Sequence, residues 1–329
     1  MSNRSVAIHF VRAVLHGASR QGHDTQALLR EAGINPQLLE QPRMRVDPAQ
    51  YARLVQLIWQ RLGDEYMGFA PQPSRPGTFA MMCQAIIHCS TLEKALHRAG
   101  RFYALFPEPP QFQLRQEGEL CWLQMDTRGL DDPQHFLTES LLVIWHRLSS
   151  WLIGRRIPLE QLCLNYPEPP QQEEYRAMFD CPLQFQQPST ALAFRRSYLQ
   201  LPLIQDERTL KRFLQHSPSE LLARTDFGNS LAERLRQLIG QRVGRDMPTM
   251  EAVAEQMHMS TPTLRRKLAE EGTSWQELKD HLRRDIALYH LARHDLPIQD
   301  IANLLGFSEP SAFHRAFKKW TGLTPGEYR

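Results

Sequence analysis

No stretch of this sequence stays apolar over the roughly 18 to 20 residues that a membrane span requires, so no membrane partner is expected. The first residues, MSNRSVAIHFVRAVLHGASRQ, alternate apolar side chains with Arg and His; they read as an amphipathic helix and lack the continuous apolar segment of a signal peptide. A cytoplasmic protein is the expectation. Cysteine is sparse: Cys83, Cys89, Cys121, Cys163 and Cys181 are odd in number with no close pair, which supports neither a disulfide framework nor a zinc site. Buried free thiols are expected instead. His88, His97, His135 and His146 lack the i, i+4 pairing with a carboxylate that zinc hydrolases use. A Gly-x-Ser-x-Gly elbow, a phosphate loop and a dinucleotide fingerprint are also missing. No catalytic residue, metal or cofactor is therefore expected, and the chain does not read as an enzyme. Charge of one sign is missing too: 39 Lys and Arg stand against 36 Asp and Glu, and from Gly228 onward the counts are 15 and 13. Net charge alone announces no nucleic-acid binder, so any basic face must come from placement.

What is present is organised around the last residues, IQDIANLLGFSEPSAFHRAFKKWTGLTPGEYR. Ile301, Ala302, Leu304 and Leu305 keep helical spacing up to Gly306, which can end a helix in the left-handed conformation. Ser308 is a good N-cap and Pro310 suits a first turn, so a second helix is expected to about Trp320. On it Phe313 and Phe317 share a face with Ala316 and Trp320. Ser311, His314, Arg315, Lys318 and Lys319 fall elsewhere, leaving a basic, hydrogen-bonding ridge suited to a major groove.

One such hairpin is a weak signal, but the chain carries two. Val253, Ala254, Met257, Met259 and Ser260 lie 48 positions before Ile301, Ala302, Leu305, Phe307 and Ser308; Leu264, Arg265, Arg266 and Leu268 then match Phe313, His314, Arg315 and Phe317 at an offset of 49. The later copy holds one extra residue in its turn or first helical turn. Between the copies, Leu278, Leu282, Ile286 and Tyr289 predict one helix of about twenty residues, about 30 Å long against the ~34 Å of one DNA turn. Two recognition helices could thus enter successive major grooves from one face.

From about Gly228 to Arg329 these motifs resemble the AraC/XylS family of bacterial transcription regulators. The densest likeness is IANLLGFSEPSAFHRAFKKWTGLTPGEYR, with its Ile-Ala, Gly-Phe, Phe-x-Arg-x-Phe-Lys, Gly-x-x-Pro and Tyr-Arg. The resemblance implies two helix-turn-helix units on a joining helix, promoter DNA as partner, RNA polymerase as a second one, and early recognition-helix positions, here Thr261, Pro262 and Ser311, that touch bases. Arg265, Arg266 and Arg315 are the candidate base or phosphate readers, since Arg can pair bidentately with guanine. Lys318 and Lys319 suit phosphates, and His314 is ambiguous. For each, a solvated helix face is the alternative.

Upstream, helices fit Ser5 to Ser19, Asp24 to Ala32, and a segment capped by Asp47 and ended by Gly63. Two more flank Ser90; QFQLRQEG and ELCWLQMD form a hairpin through Gly118; PQHFLTESLLVIWHRLSSWLIG is a long apolar helix; QLCLNY is a strand, EEYRAMF a helix and LQFQQPSTALAF a second hairpin. The fold class read from the sequence is an N-terminal α+β effector domain followed by an all-α domain of two helix-turn-helix units joined by a long linker helix. Its expected parts are residues 1–205 for effector binding and dimerisation, 206–229 for a connecting helix and linker at Phe227, Gly228 and Asn229, and 230–329 for DNA binding. Within the last, the units span about 249–271 and 298–320, and the joining helix about 274–294.

RPGTFAMMCQAIIHCSTLEKALHRAGRFY and EYRAMFDCPLQFQQPSTALAFRRSYLQLPL resemble the arabinose-binding-like domain of ornithine-utilisation-type regulators, which implies ligand sensing and homodimer formation. The effector-binding candidates are Met82, Cys83, Ile86, His88, Arg101 and Tyr103, with an apolar carboxylate or an amino-acid derivative as effector; an ordinary core is the alternative for the apolar ones. A different class, a DNA-binding domain fused to an enzymatic or alkyl-transfer repair domain, would need a reactive, metal-held Cys near other Cys or His.

Overall fold

A computed structural model describes residues 5–41, 44–106, 108, 110–169, 172–179, 181–216, 231, 235, 238–239, 247–270 and 273–329. The expected linker at Phe227, Gly228 and Asn229 lies outside the described residues. In chain order the elements are β1 (Val6–Ala7), α1 (Ile8–Val14), α2 (His16–Arg20), α3 (Thr25–Glu31), β2 (Arg45–Val46), α4 (Pro48–Leu62), α5 (Thr78–Ile86), α6 (Leu92–Tyr103), β3 (Gln111–Glu117), β4 (Leu120–Asp126), α7 (Phe136–Leu152), β5 (Leu159–Cys163), α8 (Gln172–Phe179), β6 (Leu183–Gln184), β7 (Thr190–Arg195) and α9 (Glu207–His216). There follow α10 (Met250–Gln256), α11 (Thr261–Glu270), α12 (Trp275–Arg293), α13 (Ile298–Leu304), α14 (Pro310–Thr321) and α15 (Pro325–Tyr328). Among the described residues no helix is long and apolar enough to cross a membrane. Packing divides the chain into two compact units: residues 13–24 with 55–225, and residues 1–12 and 25–54 with 226–329.

The first of these units carries a five-stranded sheet in the order β3-β4-β7-β5-β6. β3 and β4 form the expected hairpin, closed at Glu117 and Leu120 around Gly118, whose φ of 58° is the left-handed conformation such a turn needs. LQFQQPSTALAF is not a hairpin. β6 pairs in parallel with β5, while β7 runs antiparallel between β4 and β5. The reason lies in composition: Thr190 to Phe194 are buried on both faces and so take the centre, whereas Leu183 and Gln184 are half-buried and exposed and stay at the edge. α7 is buried along most of its length.

Loops in this unit are held by buried carboxylates. Asp64 accepts hydrogen bonds from the backbone N–H groups of Tyr66, Gly68 and Ser74 at 2.7 to 2.8 Å. Beside that loop Gly17 packs so closely that an added Cβ would stand 1.8 Å from the Met67 carbonyl oxygen. Gly17→Ala is expected to destabilise this unit by about 1 to 3 kcal/mol, read as a lowered denaturant midpoint without a change of slope.

In the other unit the expected helix from Ser5 to Ser19 gives way at its start to β1, which pairs antiparallel with β2. Arg45 explains the change, because its guanidinium binds the Ser5 hydroxyl at 2.9 Å and the Ser5 carbonyl at 2.7 Å and holds the chain extended there. Asp47 caps α4 as expected, accepting from Ala49 N at 2.8 Å.

Candidate nucleic-acid interface

Each helix-turn-helix copy is built by local signals. Thr249 caps α10, accepting from Ala252 N at 3.2 Å, and Ser260 caps α11, accepting from Thr263 N at 3.3 Å. Leu264 and Leu268 face inward and pack with Val253, Ala254, Leu278 and Leu282. In the later copy Phe313 and Phe317 are buried, their rings 5.7 Å apart, and Phe307 lies 5.6 Å from Phe313. Gly306 has φ 78° and His258, its counterpart 48 positions earlier, has φ 53°, so the same left-handed step ends α13 and α10.

Capping preference alone puts the start of the later recognition helix at Ser308. The cap falls instead at Glu309, whose side chain makes no capping bond, with Pro310 as the first helical residue. Pro310 forces this, since the residue before a proline is driven out of the helical region, and Glu309 is extended at φ −131°, ψ 131°. The extra residue of the later copy therefore sits in the turn, and the two recognition helices match position for position from Thr261 and Pro310 onward.

That match fixes the outward faces. On α11, Pro262, Arg265, Arg266 and Ala269 are exposed at i, i+3, i+4 and i+7. On α14 the same positions hold Ser311, His314, Arg315 and Lys318; His314 is half-buried and the other three, with Lys319, are exposed. Thr261 is half-buried in the first turn of its helix. The exposed face is short, donor-rich and backed by an apolar core, the shape and chemistry that base edges and phosphates accept.

α12 joins the copies. It has 19 residues, about 28 Å of helix, and opens on a capping box between Ser274 and Glu277. One residue that sequence reasoning does not single out sets the later copy on it. Arg283 donates to the Leu305 carbonyl at 3.1 Å and lies 5.2 Å over the Phe307 ring, so it caps α13 and stacks beside it. Nothing in its spacing distinguishes it from an arginine on a solvated face. At the other end Thr324 and Glu327 form a second capping box, Tyr328 is buried with its ring 5.7 Å from Phe317, and Arg329 donates to the Leu296 carbonyl. The Thr-Pro and Tyr-Arg of the motif thus staple α15 under α14.

The sheet-bearing unit contains a small cavity of about 40 Å3, lined by Trp59, Glu65, Tyr66, Phe79, Tyr103 and Trp145 among others. The carboxylate among its described lining residues, Glu65, accepts from Gly77 N at 2.7 Å and Phe79 N at 3.0 Å, and burial raises its pKa. Trp59 Nε1 is buried without a hydrogen-bond partner. Of the six effector candidates, only Tyr103 lines this cavity. Met82, Cys83 and Ile86 are buried in α5; His88 is exposed and 3.1 Å from Glu207; Arg101 is exposed on α6. The cavity's other lining residues escape sequence reasoning because α4, the loop at 65–67, α5 and α7 deliver them from distant segments.

Among the cysteines four are buried and Cys181 is half-buried. Burial pushes the Cys83 thiol up, and that of Cys121 up to about 12, so both hold their protons and are poor nucleophiles. Burial lowers His146 to about 4, and its Nε2 lies 2.7 Å from the Ile157 carbonyl, where the neutral ring donates.

Comparisons with known proteins cover both the N-terminal and the C-terminal part of the chain. Residues 22–203 match the arabinose-binding N-terminal domain of AraC transcription regulators, and residues 253–329 match a helix-turn-helix domain. The chain is similar to an ornithine utilization regulator of Pseudomonas aeruginosa, 28% identical over 326 residues that cover 98% of this chain and 96% of the relative. It is also similar to an uncharacterised HTH-type transcriptional regulator of Mycobacterium tuberculosis, 27% identical over 334 residues, covering 98% and 95%. Among solved structures it resembles the transcriptional regulator CdpR from Pseudomonas aeruginosa, with 20% identity, a TM-score of 0.31, and coverage of 97% and 96%.

Proposed function

The chain belongs to the AraC family of transcription regulators, and from that membership we infer a sequence-specific DNA-binding regulator that answers to a small organic effector. The observation that carries the DNA-reading half is the duplicated recognition face, with Arg266 and Arg315 at equivalent exposed positions of α11 and α14. In this reading the two helices enter adjacent major grooves. Arg265, Arg266 and Arg315 read bases; Thr261, Pro262, Ser311 and His314 adjust fit in the first turns; Lys318 and Lys319 hold phosphates. The effector is an apolar carboxylate or an amino-acid derivative, sensed within residues 1–205. A second copy of the chain and RNA polymerase are the protein partners, and the chain acts in the cytoplasm.

Selection of bound fragments from random duplex DNA by the full-length protein, followed by footprinting, tests this reading. Two protected patches on one face, about one helical turn apart, are expected. Equal binding to every duplex would overturn it. Lys319→Ala should weaken binding to all sequences alike and lower the slope of log affinity against log salt by about one, leaving the enriched sequence unchanged.

A further inference from the structure

Consecutive residues of α12 hold the two helix-turn-helix copies. Leu278 and Leu282 pack into the apolar cluster of the first copy with Val253, Ala254, Leu264 and Leu268. The next residue, Arg283, lies about 100° further round the helix and holds the later copy instead, donating to the Leu305 carbonyl at 3.1 Å and lying 5.2 Å over the Phe307 ring.

The repeat shows how this contact differs from its counterpart. Forty-eight positions earlier, Leu305 and Phe307 correspond to Met257 and Met259, and Arg283 corresponds to Leu235. Leu235 is fully buried, and both methionines pack against the cluster that contains it. The first copy therefore holds this corner by apolar contact, which is non-directional and adapts to small rotations. The later copy uses a planar guanidinium that bonds the carbonyl ending α13 and stacks on the ring in the turn before α14. A hydrogen bond weakens steeply as its angle opens, and the cation must stay over the ring face, so this contact fixes an orientation as well as a distance. Phe307 in turn lies 5.6 Å from Phe313, which carries that orientation into α14. A lysine, with its point charge on a flexible stem, cannot make both contacts at once.

We propose that Arg283 is a positioning residue for DNA reading: it sets the angle between the two recognition helices, and through it the number of base pairs preferred between the two half-sites. The inference rests on the reading of α11 and α14 as recognition helices in adjacent grooves and names the residue that sets their spacing. One base pair moves a half-site about 3.4 Å along the duplex and roughly 35° around it. A rigid pair of readers follows such a step poorly. A loosened pair follows it, and loses affinity for the original spacing.

The full-length protein is titrated with its selected duplex and with duplexes carrying one base pair more or one fewer between the two protected patches. The parent should bind the altered spacings at least about tenfold more weakly. Arg283→Ala and Arg283→Lys should each cut that ratio to about threefold or less, by losing affinity for the original spacing, while the base preferred at each position stays the same. Phe307→Leu keeps the carbonyl contact and removes the stacking face, so its ratio should be intermediate. Loss of structural support alone lowers affinity for all three duplexes alike and leaves the ratio at its parental value. Thermal melting reports the folding of each variant, and Arg283→Lys, which keeps length and charge, carries the test if the alanine variant does not fold. A parental ratio in any folded variant overturns the proposal, as does a parent that selects a sequence yet binds the three spacings equally. A parent that selects no sequence overturns the DNA-reading function itself.

Discussion

Arg266→Ala and Arg315→Ala are each expected to cost about 1 to 3 kcal/mol of affinity for the preferred site, roughly 5- to 150-fold, and to flatten base preference at one position in each half. The two residues occupy equivalent, exposed positions on helices in different copies, so their effects should add, and the double variant should lose about 2 to 6 kcal/mol. Such a loss brings affinity for the preferred site toward that for random duplex. The contrast with Lys319→Ala is the point of the measurement: a phosphate contact weakens every sequence and changes the salt slope, whereas a base contact changes which sequence wins. Titration of the preferred duplex and of duplexes altered at each base pair separates them. If both arginine variants protect the same site at unchanged affinity, the outward face assigned to α11 and α14 is wrong.

Phe317→Ala should have the largest effect on stability, about 3 to 5 kcal/mol. Its side chain is fully buried, its ring stands 5.7 Å from both Phe313 and Tyr328, and the Thr321 hydroxyl donates to its backbone carbonyl at 2.8 Å. Truncation opens a cavity under α14 and loosens α15 together with it. With whole-domain stabilities of about 5 to 15 kcal/mol, that loss approaches what the helical unit can withstand, and specific DNA binding should fail on mild warming. Lys318→Ala, one residue along and exposed, should stay within about 0.5 kcal/mol of the parent. Denaturant unfolding of the three proteins checks the pair; equal midpoints would show that α14 does not depend on its aromatic face.

Much of the DNA-reading half is legible in the amino-acid sequence. The 48-to-49 offset between Val253 and Ile301, and between Leu264 and Phe313, reports two copies of one supersecondary unit, because each copy must bury the same face. Caps and stops are legible where the signal is local, as at Gly306 and Asp47. Ser308 misleads because Pro310 acts backwards on Glu309, and that constraint outweighs the capping preference of a serine two residues earlier. The LQFQQPSTALAF segment misleads because adjacency in sequence favours a hairpin, while full burial of Thr190 to Phe194 demands the centre of the sheet.

The sequence by itself determined most of the elements, the duplication and most of the residues that each recognition helix turns outward, since these follow from 3.6-residue periodicity and from interactions a few positions apart. Only the tertiary structure decided that residues 1–12 and 25–54 pack with the helix-turn-helix copies, where Ser5 N donates to the buried Asp285 at 3.3 Å and Tyr328 donates to the Arg45 carbonyl. It likewise decided that Arg283 seats α13. The Ser5 and Tyr328 contacts join residues about 280 positions apart, and no periodicity or capping rule reaches that far: they exist only once both segments have folded.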